Sequence, residues 1–305
     1  MGMENSYYPG LYQSADTASL TAQKTYLLLQ RVYLGSLILG CTIGAFTALV
    51  TNVITVWLYS AIAIVLGLGL LILWVTRSRN DDKVWFDCRA IAESAKTATW
   101  RFMMGAPPFS EDDSIEERFV VELREIREAR PHSNKDIAGK INPNTSAITK
   151  FMREMRKRSL GERMAFYIDY RLRDQKKWYS KKANMNAQSG RDWFWVTAGL
   201  QALAFTIAII EAVSGGFQIS IVPILTTCAA AVAAWNQMKR HNELAQTYAL
   251  AAQELGELES IAISLTDKGK FLQLVEQVEE AISREHTMWC ARRDVHLMGN
   301  RGARE

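Results

Sequence analysis

The sequence predicts an all-α integral membrane protein: two transmembrane helical hairpins (four spans) with long amphipathic cytoplasmic helices. Three observations predict it. From Val32 to Thr76 there is no Asp, Glu, Lys, Arg or His. From Trp193 to Met238 the only such residue is Glu211. The remainder is so rich in charge that the whole chain, at 22% charged residues and a net charge of +4, has the composition of an ordinary soluble protein. A spanning helix needs roughly 20 apolar residues, so each block has room for two spans and a tight turn. A buried soluble hairpin of the same length is the competing reading, but charge-free blocks this long with aromatic ends are rare in soluble cores.

The elements follow in order. Glu4–Lys24 is polar and lacks the short apolar core and cleavage site of a signal peptide, so the first block is expected to be retained and to act as the targeting signal. The first two spans are placed near Val32–Val50 and Val56–Val75, around a turn holding Thr51, Asn52 and Thr55. Val84, Cys88, Ile91, Ala95, Ala98 and Phe102 recur at helical spacing and predict a helix over Lys83–Met104, ended by Pro107 and Pro108. Ser110 is expected to cap an acidic start, Glu111, Asp112 and Asp113, ahead of Phe119, Val120, Leu123 and Ile126. Pro131–Asn144 reads as a polar connector and divides the chain into units 1–144 and 145–305. A long helix is expected to begin near Thr145 and run through Tyr170 and Trp178 into the third span, near Trp193–Ile210. Ser214, Gly215 and Gly216 break it, and the fourth span lies near Ile219–Gln237, with Pro223 placed to kink it. Leu244–Ile263 and Phe271–Trp289 read as two amphipathic helices that turn at Asp267, Lys268 and Gly269.

Charge placement predicts orientation. Lys24 and Arg31 precede the first span, Arg77, Arg79 and Lys83 follow the second, Lys176 to Arg191 precede the third, and Lys239 and Arg240 follow the fourth; neither turn holds a Lys or Arg. The positive-inside rule puts both termini and residues 77–191 in the cytoplasm of a plasma (inner) membrane, leaving two short turns outside. Tyr33, Trp57, Trp74, Trp193, Trp195 and Trp235 form the aromatic belts of such spans.

Within the spans, Gly40 and Gly44 make a GxxxG pair, and Ala230 and Ala234 lie in an alanine-rich end of the fourth span. Small residues let helices approach closely, either inside one hairpin or between copies. Glu211, Gln201, Thr206, Gln218, Thr226 and Thr227 are the candidate lining or mouth of a pore. A threonine can instead bond its own helix backbone, and Glu211 can be a simple interfacial anchor. Four helices from one chain leave no room for a wide pore, so a channel requires a homo-oligomer. In the soluble part, Arg153, Arg156, Lys157, Arg158 and Arg163, interrupted by Glu154 and Glu162, are either a solvated helix face or a site for an anionic ligand. Lys176, Lys177, Lys181 and Lys182 are better placed for lipid headgroups.

Catalytic motifs do not emerge. There is no GxGxxG, Walker A, HExxH or GxSxG. His132, His241, His286 and His296, and Cys41, Cys88, Cys228 and Cys290, show no metal-ligand spacing. Asp81 with Asp82, and Glu279 with Glu280, are adjacent carboxylates that face different ways on a helix. No enzyme, no cofactor and no direct nucleic-acid partner is expected.

The runs beside the spans carry a resemblance. Trp85–Phe109 reads WFDCRAIAESAKTATWRFMMGAPPF and follows the first hairpin; Tyr170–Asn184 reads YRLRDQKKWYSKKAN and precedes the second. After it come Trp235, NELAQTY at Asn242–Tyr248 and VEEAISREHTMW at Val278–Trp289. The order of hairpins and polar–aromatic runs resembles the SLATT family, the SMODS and SLOG-associating two-transmembrane effector domains of prokaryotes, with two units in tandem over nearly the whole chain. The resemblance implies a membrane effector of antiviral defence that opens a pore when a separate sensor or nucleotide-signalling protein detects infection. A non-conducting scaffold that recruits a cytoplasmic enzyme, or a small transporter, are the alternatives; a transporter would need more polar groups inside the spans.

Overall fold

The computed structural model describes residues 3–50, 53–110, 114–142, 145–265 and 267–299, with side chains described to residue 283. Thr51, Asn52, Glu111, Asp112, Asp113 and Asn144, and the side chains of His286, Trp289, Cys290 and His296, lie outside that range. Among the described residues every regular element is helical. In chain order they are α1 (Gly10–Phe46), α2 (Val53–Arg79), α3 (Asp81–Met104), α4 (Ile115–Glu128), α5 (Asn134–Ala138), α6 (Lys150–Lys157) and α7 (Leu160–Tyr167). A π-helical stretch, Ile168–Arg173, leads into α8 (Asp174–Ser214), followed by α9 (Val222–Lys239), α10 (His241–Ala262) and α11 (Lys268–Gly299).

Among the described residues three helical stretches are long and apolar enough to cross a membrane: Gly10–Leu49, Val53–Met104 and Leu160–Ser214. The expected fourth, within α9, is not among them. Its alanines are only weakly apolar, and Asn236, Gln237 and Lys239 close it. In the most apolar part of each stretch the side chains face outward: Leu39 is 51% exposed, Trp57 70% and Phe205 68%. In water such a surface is costly; in hydrocarbon it is the ordinary state of a helix whose backbone bonds are all internal.

The chain forms two compact units that do not follow chain order. The first gathers Met1–Gln23, Asp82–Ala183 and Gln246–Glu305; the second gathers Lys24–Asp81 and Asn184–Ala245. Helices α1, α8 and α10 each contribute to both.

The first unit has an aromatic and methionine core: Trp100, Phe102, Met103, Met104, Phe109, Phe119, Met152, Met155, Tyr167 and Phe271 are all buried. Phe102, Phe109 and Phe119 form a mutual cluster, with ring centres 4.7–6.0 Å apart. Helix α3 presents Cys88, Ile91, Ala95, Ala98 and Phe102 to this core, the face expected from their spacing. It stops where Gly105 takes a left-handed φ of +72°. There the Gly105 N–H donates to the Phe102 carbonyl and the Ala106 N–H to the Arg101 carbonyl, which is the Schellman arrangement. Helix α4 starts at Ile115 after Ser114, later than the acidic start expected. The connector Pro131–Asn144 contains α5, which buries Ile137.

The long helix expected from Thr145 is interrupted. Thr149 caps α6, and at Ser159 the backbone turns extended. Ser159 Oγ accepts from the Glu162 N–H while the Glu162 carboxylate accepts from the Ser159 N–H, a capping box that starts α7 afresh. From α7 onward the helix runs without a break to Ser214.

In the second unit, residues 36–44 of α1 lie against 62–69 of α2 in antiparallel register. A Cβ on Gly40 would sit 3.5 Å from Leu66, on Gly44 3.9 Å from Ile62, and on Gly69 2.9 Å from Ser36 Oγ. Gly215 (φ +81°) and Gly216 (φ +95°) provide the positive φ needed for the chain to reverse between α8 and α9. Pro223 falls in the first turn of α9, where its missing N–H has no helical partner to lose; it starts the helix and does not kink it. At the far end Gly190 of α8 meets Asn242, and Asn186 Oδ1 is 2.8 Å from His241 Nδ1.

Candidate functional site

The polar residues of the apolar helices do not converge. Thr206 Oγ1 donates to Ala202 O, Thr226 to Val222 O and Thr227 to Pro223 O, each within its own helix. Gln201 and Gln218 are exposed and make no hydrogen bond among the described residues. Glu211 is different. Its Oε2 accepts from Ser220 Oγ across the turn at 3.0 Å, and its Oε1 is buried with no hydrogen-bond partner among the described residues. The carboxylate therefore ties the end of α8 to the start of α9 and holds one acceptor in reserve. Of the small residues, Gly40 and Gly44 face α2, whereas in α9 it is Ala229 and Ala231 that are buried and Ala230 and Ala234 that are exposed.

The basic cluster divides by role. The Arg156 guanidinium donates to the Phe102 and Phe109 carbonyls and lies over the Phe102 ring; Arg163 donates to the Met104 carbonyl at 2.7 Å. Both satisfy carbonyls left over at the C-terminus of α3, where the helix dipole is negative. Arg153 pairs in bidentate fashion with Glu116 at 2.8 and 2.9 Å, holding that carboxyl below its ordinary value. Lys157 and Arg158 remain exposed. In the other cluster Lys176 shares Glu259 with Arg173, and Lys182 lies over Trp178, while Lys177 and Lys181 are exposed. The side-chain pattern thus makes half of each cluster part of the fold.

The most developed polar site of the first unit lies where α3, the π-helical stretch and α11 meet. Arg171 and Glu279 are both essentially excluded from solvent. Arg171 Nε donates to Glu279 Oε1 at 2.8 Å, and Nη2 pairs with Oε2. Tyr167 Oη donates to Oε1 at 3.0 Å and Thr97 Oγ1 to Oε2 at 2.9 Å, so both carboxylate oxygens are doubly bonded. Burial alone would disfavour the Arg171 charge, but the Glu279 carboxylate outweighs it and raises the pKa. Burial, reinforced by Glu279, likewise keeps the Tyr167 phenol protonated. Arg171 also lies over Trp100, whose Nε1 donates to Tyr8 Oη. One helical face of α3 continues the network: Arg89 bridges Asp16 and Glu93, and Lys96 lies 3.8 Å from Glu93. Burial lowers the Lys96 pKa against the pull of Glu93.

Sequence reasoning missed this pair, although one signal was available. Glu279 falls on the apolar stripe of α11 formed by Phe271, Val275, Val278 and Ile282, where a solvated charge has no place. The extra residue per turn of a π-helix, at Ile168–Arg173, is what carries Arg171 to it and had no such signal. Both Glu279 oxygens have donors, while Arg171 Nη1 is buried with no hydrogen-bond partner among the described residues, and no group of three metal-ligating side chains exists among them. The network is suited to holding helices together.

Fold and side-chain pattern define a class: an all-helical protein with membrane-spanning-type helices and a separate polar unit. Residues 9–164 match the model of SMODS and SLOG-associating 2TM effector domain 3, and residues 167–289 that of SMODS and SLOG-associating 2TM effector domain 1. The chain belongs to the SLATT family and carries two of its units in tandem. No curated protein and no solved structure matches it.

Proposed function

We propose that this protein is a membrane effector of prokaryotic antiviral defence that acts by opening a pore. The observation that carries the reading is the coincidence of two matched two-transmembrane effector units with long helices whose apolar side chains face outward. On this reading the chain crosses the plasma membrane four times as two hairpins, with α9 the shortest crossing and both termini in the cytoplasm. A homo-oligomer lines the pore, drawing on the exposed Ala230 and Ala234 for contacts and on Glu211 at the mouth. A partner that senses infection, by protein contact or nucleotide signal, provides the trigger to the polar unit. In bacteria expressing the chain with its neighbouring genes, a voltage-sensitive dye should report depolarisation before growth arrest. Arrest with membrane potential intact sinks the pore.

A non-conducting scaffold is the second reading, favoured by the threonines that bond only their own helices. It requires that substituting Glu211, Gln201 and Thr226 leaves toxicity unchanged, where a pore should change its conductance or ion selectivity.

A further inference from the structure

In the second unit, two cations lie against the ring of Trp235 of α9. The Arg31 guanidinium is 4.9 Å from the centre of the indole and Lys239 Nζ is 5.7 Å from it. Arg31 is the last charge before the first apolar block and Lys239 the first after the second, so the start of one block and the close of the other meet at one ring. The indole is half-buried and Arg31 is exposed. Among the described residues Arg31 forms no ion pair, whereas the neighbouring Arg240 is engaged by Glu243 at 2.6 Å. A guanidinium held against an aromatic face keeps its in-plane N–H groups available, because the ring takes only the face. On the span side of Arg31, Val32 and Leu39 share one face of α1 and are exposed at 48% and 51%.

We infer that Arg31, Trp235 and Lys239 form a seat for an anionic phospholipid. The phosphodiester would accept from Arg31, with the Lys239 ammonium adding positive charge beside it, the indole would lie at the level of the glycerol and ester groups, and the acyl chains would run along Val32 and Leu39. The chemistry fits each part: a permanent cation and an ammonium for the phosphate, an amphipathic ring for the interface, and apolar side chains for the tails. The seat differs from the lysines near α8, since Lys176 is committed to Glu259. It rests on the reading that the apolar helices lie in a bilayer.

The test is native mass spectrometry of the full chain in detergent with phosphatidylglycerol and phosphatidylcholine added in equal amounts. Wild type should retain phosphatidylglycerol preferentially. R31Q/K239Q should lose about thirty-fold of that preference, from two cations near an anionic surface, while K135Q keeps it and R31K/K239R restores it. Helicity by circular dichroism guards against a variant that fails to fold, and the R31K/K239R pair tests the charges with the ring contacts kept. A preference absent in wild type, or unchanged in R31Q/K239Q, overturns the inference. Displacement of the lipid by excess inorganic phosphate would overturn it in favour of a free-phosphate site. Extraction of wild type from membranes by alkaline carbonate would instead overturn the bilayer reading, and the two failures are thereby told apart.

Discussion

Arg171 and Glu279 are separated by 108 positions, yet they make a two-point ion pair inside the first unit. Taking two charges out of water costs several kcal/mol each, and only good geometry with extra hydrogen bonds offsets it. Tyr167 and Thr97 supply those bonds. Removing one partner leaves the other charge buried and alone. Glu279→Ala is therefore expected to destabilise the protein by about 3–5 kcal/mol, read as a fall in melting temperature of the detergent-solubilised chain. Replacing the pair together, Arg171→Met with Glu279→Leu, should recover most of that loss, since a packed apolar pair needs no hydrogen-bond partners. A double variant as unstable as the single one would show that the neighbouring donors Tyr167 and Thr97, and not the pair itself, set the cost. A hydrophobic stripe with one charge in it was readable in α11; which residue answers that charge was not, because the partner is brought in by the fold.

At the scale of elements, helices pair most closely at glycines. Between α1 and α2 the Gly40–Gly44 spacing leaves a methyl's room, since the would-be Cβ contacts are 3.5 Å or longer. At Gly190 there is none: a Cβ there would lie 2.4 Å from Asn242 Oδ1. Gly40→Ala should accordingly be near neutral, whereas Gly190→Ala obliges the Asn242 side chain to turn aside and should cost about 1 kcal/mol, the low end of the range for overpacking. Thermal melting of the two variants side by side checks the contrast, and equal melting temperatures would contradict it. The GxxxG pair was legible from the sequence; the tighter contact at Gly190 was not, because it depends on how α8 meets the start of α10. Helix boundaries show the same division. The helix over Lys83–Met104 was readable from its apolar spacing, and α3 covers it. The break at Ser159 was overlooked although its S-x-x-E signature stands in the sequence, because the apolar pattern on either side stays in helical phase.

On the scale of the whole molecule, the proposed topology places nearly all charge on one side of the membrane and two turns on the other. A single cysteine substituted at Ser214 in a chain lacking its own cysteines should react with a membrane-impermeant maleimide added to intact cells. One substituted at Lys135 should react only after lysis. Labelling of both in intact cells, or the reverse pattern, would contradict the orientation. Native Cys88 should not contribute to labelling of the folded protein in any case. It is buried, and burial, with the Asp136 carboxylate adding to it, pushes the thiol up to about 12, so almost no thiolate exists at neutral pH.

The sequence by itself determined that the chain is helical, that long stretches of it suit hydrocarbon, and that it belongs with the SLATT effectors. The first two follow from local composition and period, and the third from the resemblance of the runs beside the spans to that family; all three survive without knowing the fold. Only the tertiary structure decided that the compact units interleave along the chain, that Arg156 and Arg163 close the end of α3 where an open basic patch was expected, and that Arg171 finds Glu279. Each of these depends on which distant surfaces meet. An exposed guanidinium and a buried one are the same letter in a sequence, and only packing determines whether its donors face water, lipid or a carbonyl.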